Sequence, residues 1–177
     1  MTYDVIGDVH GHAKELRTLL AQLGYEERNG VYVAKSRKAI FVGDFIDRGP
    51  AIREVLQIAR AMVSRDAAHA VLGNHEFNAL CYHTADGAGS FLRPHSPKNV
   101  RQHQATVDQL VLPHPNEWES YLQWFRDLPF FWKSRDYESF TPRGTTMRSA
   151  SSGVARFTIP TSWQTRLPKA HYTGEQN

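Results

Sequence analysis

Three short apolar runs in the first half of the chain each stop at a glycine. They lie at residues 3–6, 39–42 and 68–72. Runs of this length, rich in small and β-branched apolar residues, are typical of buried strands in a parallel sheet. We therefore predict three such strands. A further short edge strand is expected at residues 31–33, after a turn at residues 28–30.

The segments between these strands show the apolar spacing of amphipathic helices. The first carries a row of leucines and stops at Gly24, and the second follows Pro50, which suits a first helical turn. Strand, loop and helix in alternation predict an α/β fold of the βαβαβ type, with a parallel sheet and right-handed crossovers. The predicted core faces of the two helices are Leu16, Leu19, Leu20 and Leu23, and Ile52, Val55, Leu56, Ala59 and Val63.

The next part of the chain has little periodicity until a further well-marked helix begins. Residues 84–115 are rich in Gly, Pro, His and Asn, and we predict a long insertion over the site there. In the helix that follows, Asn116 is a candidate cap with Glu119 three residues later, and Pro129 ends the pattern. The apolar face of this helix consists of Trp118, Leu122, Phe125 and Leu128.

After residue 132 the character of the chain changes. Thirteen of the 45 residues from 133 to 177 are Ser or Thr, and only residues 154–159 alternate as a strand does. We therefore divide the chain into a core at residues 1–132 and an atypical tail at residues 133–177. The tail is expected to be linker or disordered.

The excess of positive charge belongs to that tail. Residues 1–132 carry 14 Lys and Arg against 15 Asp and Glu, whereas residues 133–177 carry 7 against 3, which accounts for a pI near 9.1. No basic patch interleaved with aromatic residues surrounds the motifs described below, so charge does not favour nucleic acid as a partner. The length is that of a single domain, and 41% hydrophobic residues suffice for its core.

Targeting signals and cysteines narrow the possibilities further. The sequence shows no signal segment and no run long enough to cross a bilayer, so we predict a cytoplasmic protein with no membrane partner. Cys81 is the only cysteine, which excludes an internal disulfide and a thiolate cluster. Any metal must therefore be bound through oxygen and imidazole ligands.

The three glycine-terminated runs open into loops of distinctive chemistry: GDVHG from Gly7, GDFIDRGP from Gly43 and GNHE from Gly73. The carboxyl ends of parallel strands meet at one edge of a sheet, where ligands bind. Carboxylates, imidazoles and an amide beside a planar cation suit a divalent metal and a phosphate group. The alternative, that Gly-Asp pairs merely terminate strands, leaves the two histidines and the asparagine unexplained. The candidate residues are Asp8, His10, Asp44, Asp47, Arg48, Asn74 and His75.

These motifs resemble those of the calcineurin-like metallophosphoesterase superfamily, in particular the branch with Ser/Thr protein phosphatases and bacterial symmetrical diadenosine tetraphosphatases. The resemblance covers residues 1–132. It implies a β-sandwich flanked by helices and a centre of two divalent metal ions. Asp8 and His10 would bind the first ion, Asp44 would bridge both, and Asn74 would bind the second. Mixed nitrogen and oxygen ligation favours Mn, Fe, Zn or Co over Mg or Ca, and manganese is the expected ion.

The resemblance also implies three catalytic roles. His75 would be the acid near the leaving oxygen, Asp47 its orienting partner, and Arg48 the clamp on the phosphoryl group. The implied activity is hydrolysis of phosphate monoesters, phosphoproteins or dinucleotide polyphosphates. The expected partners are therefore a phosphorylated small molecule, a nucleotide or a phosphoprotein.

The chain departs from this family pattern in two places. Leu72 stands where eukaryotic-type protein phosphatases have an arginine, which weakens the assignment of a phosphoprotein substrate. The superfamily completes its second metal site with two later histidines, and beyond Trp132 only His171 occurs. We therefore expect a C-terminal truncation or an altered reading frame, an incomplete second sheet and a weak catalyst. The competing hypotheses are an impaired remnant that binds metal or phosphate and, less favoured, a nucleic-acid-binding module.

The other histidines and the aromatic residues have simpler interpretations. Solvent exposure is expected for the four histidines in or beside the insertion, although a contact with substrate, together with Arg93 or Arg101, stays open. His12 is expected to be a solvated first-turn residue and His69 a surface or edge residue. Packing is expected for Cys81 and for six aromatic residues, namely Trp118, Trp124, Phe125, Phe130, Phe131 and Trp132. The four histidines are His83, His95, His103 and His114.

Overall fold

A three-stranded parallel sheet with helices packed against it forms the centre of the fold. The computed structural model describes residues 2–134, 137–140, 148–149 and 155–156. In chain order the elements are β1 (Thr2–Ile6), α1 (Ala13–Gln22), β2 (Glu26–Arg28), β3 (Val31–Val33), β4 (Arg37–Phe41), α2 (Ile52–Ser64), β5 (Ala68–Ala70), α3 (Asn74–Tyr82), α4 (Pro97–Thr106), a π-helix (Val107–Val111), α5 (Pro115–Asp127), β6 (Trp132–Ser134), β7 (Tyr137–Phe140), β8 (Arg148–Ser149) and β9 (Ala155–Arg156).

The sheet has the order β1-β4-β5, and all its pairs are parallel. The central strand β4 is fully buried at Ala39, Ile40 and Phe41, as expected for a strand covered on both faces. The predicted α/β class is therefore confirmed. The prediction that the first strand is buried is wrong for most of β1, because β1 lies at the sheet edge: Ile6 is buried, but Val5 is 48% exposed.

The short strand at residues 31–33 forms where it was predicted, but not in the main sheet. It is β3, and it pairs antiparallel with β2 in a separate two-stranded hairpin. Asn29 and Gly30 both have positive φ, 52° and 77°. This is the combination that tight hairpins with a primed turn require.

The two crossover helices bury most of the predicted positions, although Leu23 lies just beyond α1 and is only partly buried. In α1, Leu16 and Leu20 are buried, whereas Leu19 is 38% exposed. In α2 the buried positions continue to Met62, and Val63 is only partly buried. The buried face of α2 thus follows the i, i+3, i+4, i+7 spacing from Ile52 to Ala59. Its last buried residue is Met62 and not the predicted Val63.

The expectation that residues 84–115 contribute little to the core is wrong for their second half. Pro97–Thr106 is helix α4, capped by the Ser96 side chain, which accepts a hydrogen bond from the Asn99 N–H (3.3 Å). A single π-helical turn continues it, and such turns are frequent at functional sites. The buried face of this segment includes His103 and Thr106, and its polarity explains why no apolar periodicity appears in the sequence.

Helix α5 buries the predicted apolar face, but it begins earlier than expected. It starts at Pro115 with His114 at the cap position, so Asn116 is not its cap. A proline suits the first helical position because its missing N–H has no intrahelical partner there. The four predicted face residues are buried, whereas Phe131, which was expected to pack, is 49% exposed.

Beyond Phe131 the described residues form two antiparallel strand pairs. Strand β6 pairs with β7, and β8 pairs with β9. Strand β9 lies within the predicted strand at 154–159, whereas β6, β7 and β8 occur where no strand was predicted. The remaining expectations for the tail, namely disorder and an incomplete second sheet, lie outside the described residues. No helix in the described part of the chain is long and apolar enough to cross a membrane.

Candidate metal and phosphate site

The first and second motif loops are joined by backbone hydrogen bonds. The N–H groups of Val9 and His10 donate to the carbonyl oxygen of Asp44 (3.1 and 2.8 Å). The Gly49 N–H donates to the His10 carbonyl oxygen (2.8 Å). A Cβ atom on Gly49 would lie 2.2 Å from that same oxygen, so only glycine allows this approach. The two loops therefore hold a fixed position relative to each other.

A pair of glycines brings the second loop against the third. Gly43 has a φ of +85°, and a Cβ atom on it would lie 2.2 Å from the Gly73 nitrogen. A Cβ atom on Gly73 would in turn lie 2.2 Å from the Asp44 nitrogen and 2.4 Å from its Oδ1. The glycines at the ends of the strands thus allow the Asp44 carboxylate to lie close to the third loop.

Glu76 holds the second loop in place, a role that was not predicted from the sequence. Its fully buried carboxylate accepts hydrogen bonds from the backbone N–H groups of Asp44 (2.7 Å), Phe45 (2.8 Å) and Ile46 (3.3 Å). Burial, followed by the charge of Asp44, raises the pKa of Glu76 to about 7. The available signal was the fourth letter of the GNHE motif, in the first turn of α3.

Four of the predicted site residues have a left-handed backbone. The φ angles of His10, Asp44, Asp47 and Arg48 are 43°, 54°, 67° and 66°. Outside glycine such angles are uncommon and cost of order 1–3 kcal/mol each, so they persist only where surrounding contacts impose them. Here those contacts are the loop-to-loop hydrogen bonds and the Glu76 carboxylate. Strain of this kind is typical of functional sites.

His10 has one ring nitrogen fixed and the other free. Its Nδ1–H donates to the carbonyl oxygen of Ile46 (2.8 Å), which leaves the lone pair on Nε2. This Nε2 atom is buried and has no hydrogen-bond partner among the described residues. A histidine held through one nitrogen by a carbonyl, with the other nitrogen open, has the usual arrangement of a metal ligand.

The Nε2 atom of His10 belongs to a compact group of potential ligand atoms. One atom each from His10, Asp44 and His75 lies within 4.8 Å of the other two. Asn74 lies beside this group, where its side-chain nitrogen donates to Asp44 Oδ2 (3.2 Å) and its oxygen accepts from the His75 backbone N–H (3.2 Å). Asp8 is not in the compact group, but its Oδ2 lies 3.8 Å from His10 Nε2 and its side chain is exposed. The donor set therefore fits a divalent ion with mixed nitrogen and oxygen ligands.

Asp47 lies behind His75 and holds its ring. The Nδ1–H of His75 donates to Asp47 Oδ2 (2.6 Å), while His103 (2.9 Å) and Thr106 (2.6 Å) donate to Asp47 Oδ1. Burial alone would raise the pKa of Asp47, but the hydrogen bonds from His103, His75 and Thr106 outweigh it and hold the pKa well below its usual range. Asp47 is therefore a buried carboxylate that accepts from two imidazoles.

The contact with Asp47 shifts the pKa of His75 upward. Burial lowers the pKa of His75, but the hydrogen bond and the charge of Asp47 raise it more, so that the net pKa lies above its ordinary value. The outer nitrogen of the ring, Nε2, lies 3.5 Å from the Nη2 atom of the exposed Arg48 side chain. The structure thus brings His75, Asp47 and Arg48 into one contiguous group.

The expectation of solvent exposure fails for His103. His103 is buried and donates to Asp47, and its Nε2 lies 3.1 Å from His83 Nε2. His83 is half-buried, and burial, His103 and His95 lower its pKa to about 4. His95 and His12 are exposed as expected, whereas His114 is half-buried like His83, and the pattern of the sequence gave no sign that His103 turns inward.

A cavity of about 400 Å³ opens at His75 and Arg48 and extends over α3 and α4. Its walls include Asn74 and Asp47 from the motif loops, and Arg93 and Lys98 from the insertion. Residues of the predicted insertion thus form part of the cavity wall. Of the charged residues in these walls, three are cations and Asp47 is the single carboxylate, which suits an anionic ligand.

A parallel sheet whose strand ends gather imidazole, carboxylate and amide ligands beside an arginine defines the class of metallophosphoesterases. A sequence model of calcineurin-like phosphoesterases matches residues 1–164, and the chain belongs to this family. The match continues beyond residue 132, at which the resemblance of the motifs was expected to end.

Known proteins similar to the chain agree with this family. The asymmetrical bis(5'-nucleosyl)-tetraphosphatase PrpE of Oceanobacillus iheyensis is 43% identical over 76 residues, which are 42% of this chain and 30% of the relative. Curated relatives of this type carry the asymmetrical name and not the symmetrical one that the resemblance suggested. The chain spans about 30% of their length.

Two solved structures share the fold. A putative diadenosine tetraphosphatase has a TM-score of 0.50 at 21% identity, covering 84% of this chain and 53% of the other. A point mutant of a cold-active protein tyrosine phosphatase has a TM-score of 0.57 at 20% identity, covering 82% and 44%. At these identities the likeness concerns the fold alone.

Proposed function

We propose that the chain is a metal-dependent hydrolase of phosphate esters whose metal ligands are Asp8, His10, Asp44 and Asn74. The observation that carries the proposal is the buried Nε2 atom of His10. It has no partner among the described residues and lies in a compact group with atoms of Asp44 and His75, all within 4.8 Å of one another. A buried polar atom without a partner is costly, and a metal ion removes that cost.

The ligand set supports manganese, with iron, zinc or cobalt as further candidates. When bound, a divalent ion supplies Lewis-acid stabilisation of the charge that develops on a phosphoryl group. The chain itself orients the ligands. The Ile46 carbonyl fixes the His10 ring, and the backbone N–H of His75 donates to Asp44 Oδ1 (2.9 Å). A centre with two ions, bridged by Asp44, is part of the proposal.

His75, Asp47 and Arg48 would act on the substrate. Asp47 accepts from His75 Nδ1 and so turns His75 Nε2 towards the cavity, where it can give a proton to the leaving oxygen. Arg48 lies next to that nitrogen and offers a planar fork to the phosphoryl oxygens.

The substrates we propose are phosphate monoesters, phosphoproteins or dinucleotide polyphosphates. The tetraphosphatase relatives favour the last class, since their names describe hydrolysis of dinucleoside tetraphosphates. The cavity has a volume of about 400 Å³ and three cations in its walls. A cavity of this size and charge suits a phosphorylated small molecule or a nucleotide better than an extended protein surface.

A second candidate is binding of metal or phosphate without efficient turnover. One observation favours it: after His114 the sequence contains a single further histidine, His171. The described residues supply a compact set of three ligands with Asp8 and Asn74 beside it. This set suffices for one ion more readily than for two.

Metal counting combined with an activity assay separates the two candidates. The purified chain is loaded with Mn²⁺, its ions per chain are counted by mass spectrometry, and release of p-nitrophenol from p-nitrophenyl phosphate is measured with and without a chelator. Two ions and chelator-sensitive turnover support the hydrolase. One ion without turnover supports the binding function, and a chain that binds neither the metal ion nor inorganic phosphate contradicts both candidates.

A further inference from the structure

The cavity contains two cations that the proposed reaction does not use. Arg93 and Lys98 come from the insertion and line the same cavity as His75 and Arg48. Arg48 is the clamp for the phosphoryl group under attack. Arg93 precedes α4 and Lys98 belongs to it, so neither residue comes from a motif loop, and a separate role for them is open.

Arg93 is held in place by neutral groups. Its Nη1 donates to Asn78 Oδ1 (2.5 Å), and its Nη2 donates to Asn99 Oδ1 (3.1 Å) and Gln102 Oε1 (2.9 Å). The Asn99 amide is itself fixed, because its nitrogen donates to the Pro94 carbonyl (2.7 Å). The guanidinium is thus positioned by three amide oxygens from α3 and α4.

The positive charge of Arg93 is not neutralised by this arrangement. Within the described part of the chain, its side-chain hydrogen bonds all go to amides and it forms no ion pair. Asp47 is the single carboxylate in the cavity wall, and it already accepts from His75 and His103. A guanidinium has five N–H donors, and three are used here, so two remain for a ligand.

Arg93 also lies at a defined place relative to the reaction centre. Its partner Asn78 follows the proposed metal ligand Asn74 by four residues on α3, which is about one helical turn, or about 6 Å, along the helix. An anionic group bound at Arg93 would therefore lie beside the phosphoryl group at His75 and Arg48 and not coincide with it.

We propose that Arg93, assisted by Lys98, forms a subsite for a second phosphoryl group, adjoining the one that is hydrolysed. This rests on the proposed function and deepens it: the subsite selects substrates with a chain of phosphates over simple monoesters. The ligand chemistry is that of an oligophosphate, for which a planar fork and an ammonium group provide charge-assisted hydrogen bonds. The amides of Asn78, Asn99 and Gln102 act as positioning residues for the fork.

The competing role for Arg93 is purely structural, since it links α3 to α4. The two roles differ in their selectivity. A structural link supports the reaction on every substrate equally, whereas a subsite contributes only to substrates that reach it.

The test compares two substrates in the manganese-loaded chain at a fixed free Mn²⁺ concentration. For Arg93→Ala, kcat/KM for inorganic tripolyphosphate is expected to fall about 10- to 100-fold, the effect of losing a charge-assisted hydrogen bond. The value for p-nitrophenyl phosphate is expected to stay within about threefold. Arg101→Ala is the matched control, because Arg101 is an exposed cation of α4 outside the cavity.

An equal loss on both substrates, or no loss on either, overturns the subsite. If Arg93→Ala does not fold, Lys98→Ala takes its place, because Lys98 is exposed and is expected to give a smaller loss with the same selectivity. An unselective result for Lys98→Ala then also overturns the proposal.

Binding separates failure of the subsite from failure of the proposed function. If the wild-type chain turns over neither substrate, the hydrolase proposal fails, and calorimetry compares tripolyphosphate with orthophosphate on the metal-loaded chain. The subsite predicts that tripolyphosphate binds about tenfold or more tightly than orthophosphate and that Arg93→Ala removes this difference. Equal binding of the two anions by the wild-type chain contradicts the subsite.

Discussion

The Nδ1 atom of His75 lies 2.6 Å from Oδ2 of Asp47. The two residues are 28 positions apart, on the second and third motif loops, and their contact unites these loops at the cavity. The other oxygen of Asp47 accepts from His103 and Thr106 of α4. One carboxylate therefore connects the insertion to the histidine that is proposed to act on the substrate.

Replacing Asp47 with Asn is expected to lower kcat for p-nitrophenyl phosphate by about 10- to 100-fold without changing the metal content. The amide cannot accept from both imidazoles and Thr106 as the carboxylate does, so the His75 ring loses its fixed orientation. Steady-state kinetics and metal analysis of the same preparation test this. Asp108→Asn, at an exposed position of the π-helix, is the control. Equal kcat values in the Asp47 variant and the wild type would refute the orienting role.

Asp44→Asn and Arg48→Ala are expected to separate metal binding from phosphate binding. The Asp44 variant should bind Mn²⁺ more weakly at both proposed positions. Loss of a residue that only hydrogen-bonds to a metal ligand lowers affinity by about 10- to 100-fold, and loss of a ligand should cost at least as much. Arg48→Ala should retain its metal and raise KM, because the guanidinium is not one of the proposed metal ligands and is proposed to bind the phosphoryl oxygens. Metal titration of both variants is the measurement. Unchanged metal occupancy in the Asp44 variant would show that its bridging role is wrong.

Glu76→Ala is expected to lower the free energy of unfolding by about 3 kcal/mol or more. The substitution leaves the N–H groups of Asp44, Phe45 and Ile46 without their acceptor, and each buried donor that loses its partner costs about 1–3 kcal/mol. Urea unfolding followed by circular dichroism measures the change. Glu119→Ala removes an exposed ion pair with Arg126 and should change the value by less than about 1 kcal/mol. Similar effects of the two variants would contradict the role of Glu76.

The stability of the protein should fall as the pH is lowered from 6.5 to about 4, partly because of His83. Its pKa in the folded chain is about 4, below the ordinary value of 6.5, so the unfolded chain binds more protons in this window. His83→Gln removes that difference and is expected to flatten the pH dependence of Tm there. Thermal unfolding at several pH values tests this prediction. The same slope in both proteins would show that His83 is protonated as readily in the folded chain as in the unfolded one.

Much of the site could be predicted because its residues follow strands at fixed places in the sequence. Each glycine-stopped apolar run predicted a strand, and parallel strands bring their carboxyl ends to one edge whatever the intervening segments are. The meeting of Asp44 with His75 follows from that rule. The close Gly43–Gly73 and Gly49–His10 approaches, which leave no space for a Cβ atom, became evident only in the structure.

The sequence alone determined the class of fold, the three motif loops and the kinds of ligand they present, because these depend on short-range periodicity and on neighbouring residues. Only the tertiary structure decided which polar side chains turn inward. Glu76, His103 and Thr106 are buried because distant partners satisfy their hydrogen bonds: the 44–46 backbone for Glu76, and Asp47 for the other two. The sequence does not distinguish a buried polar residue from an exposed one, because burial depends on a hydrogen-bond partner that is distant along the chain.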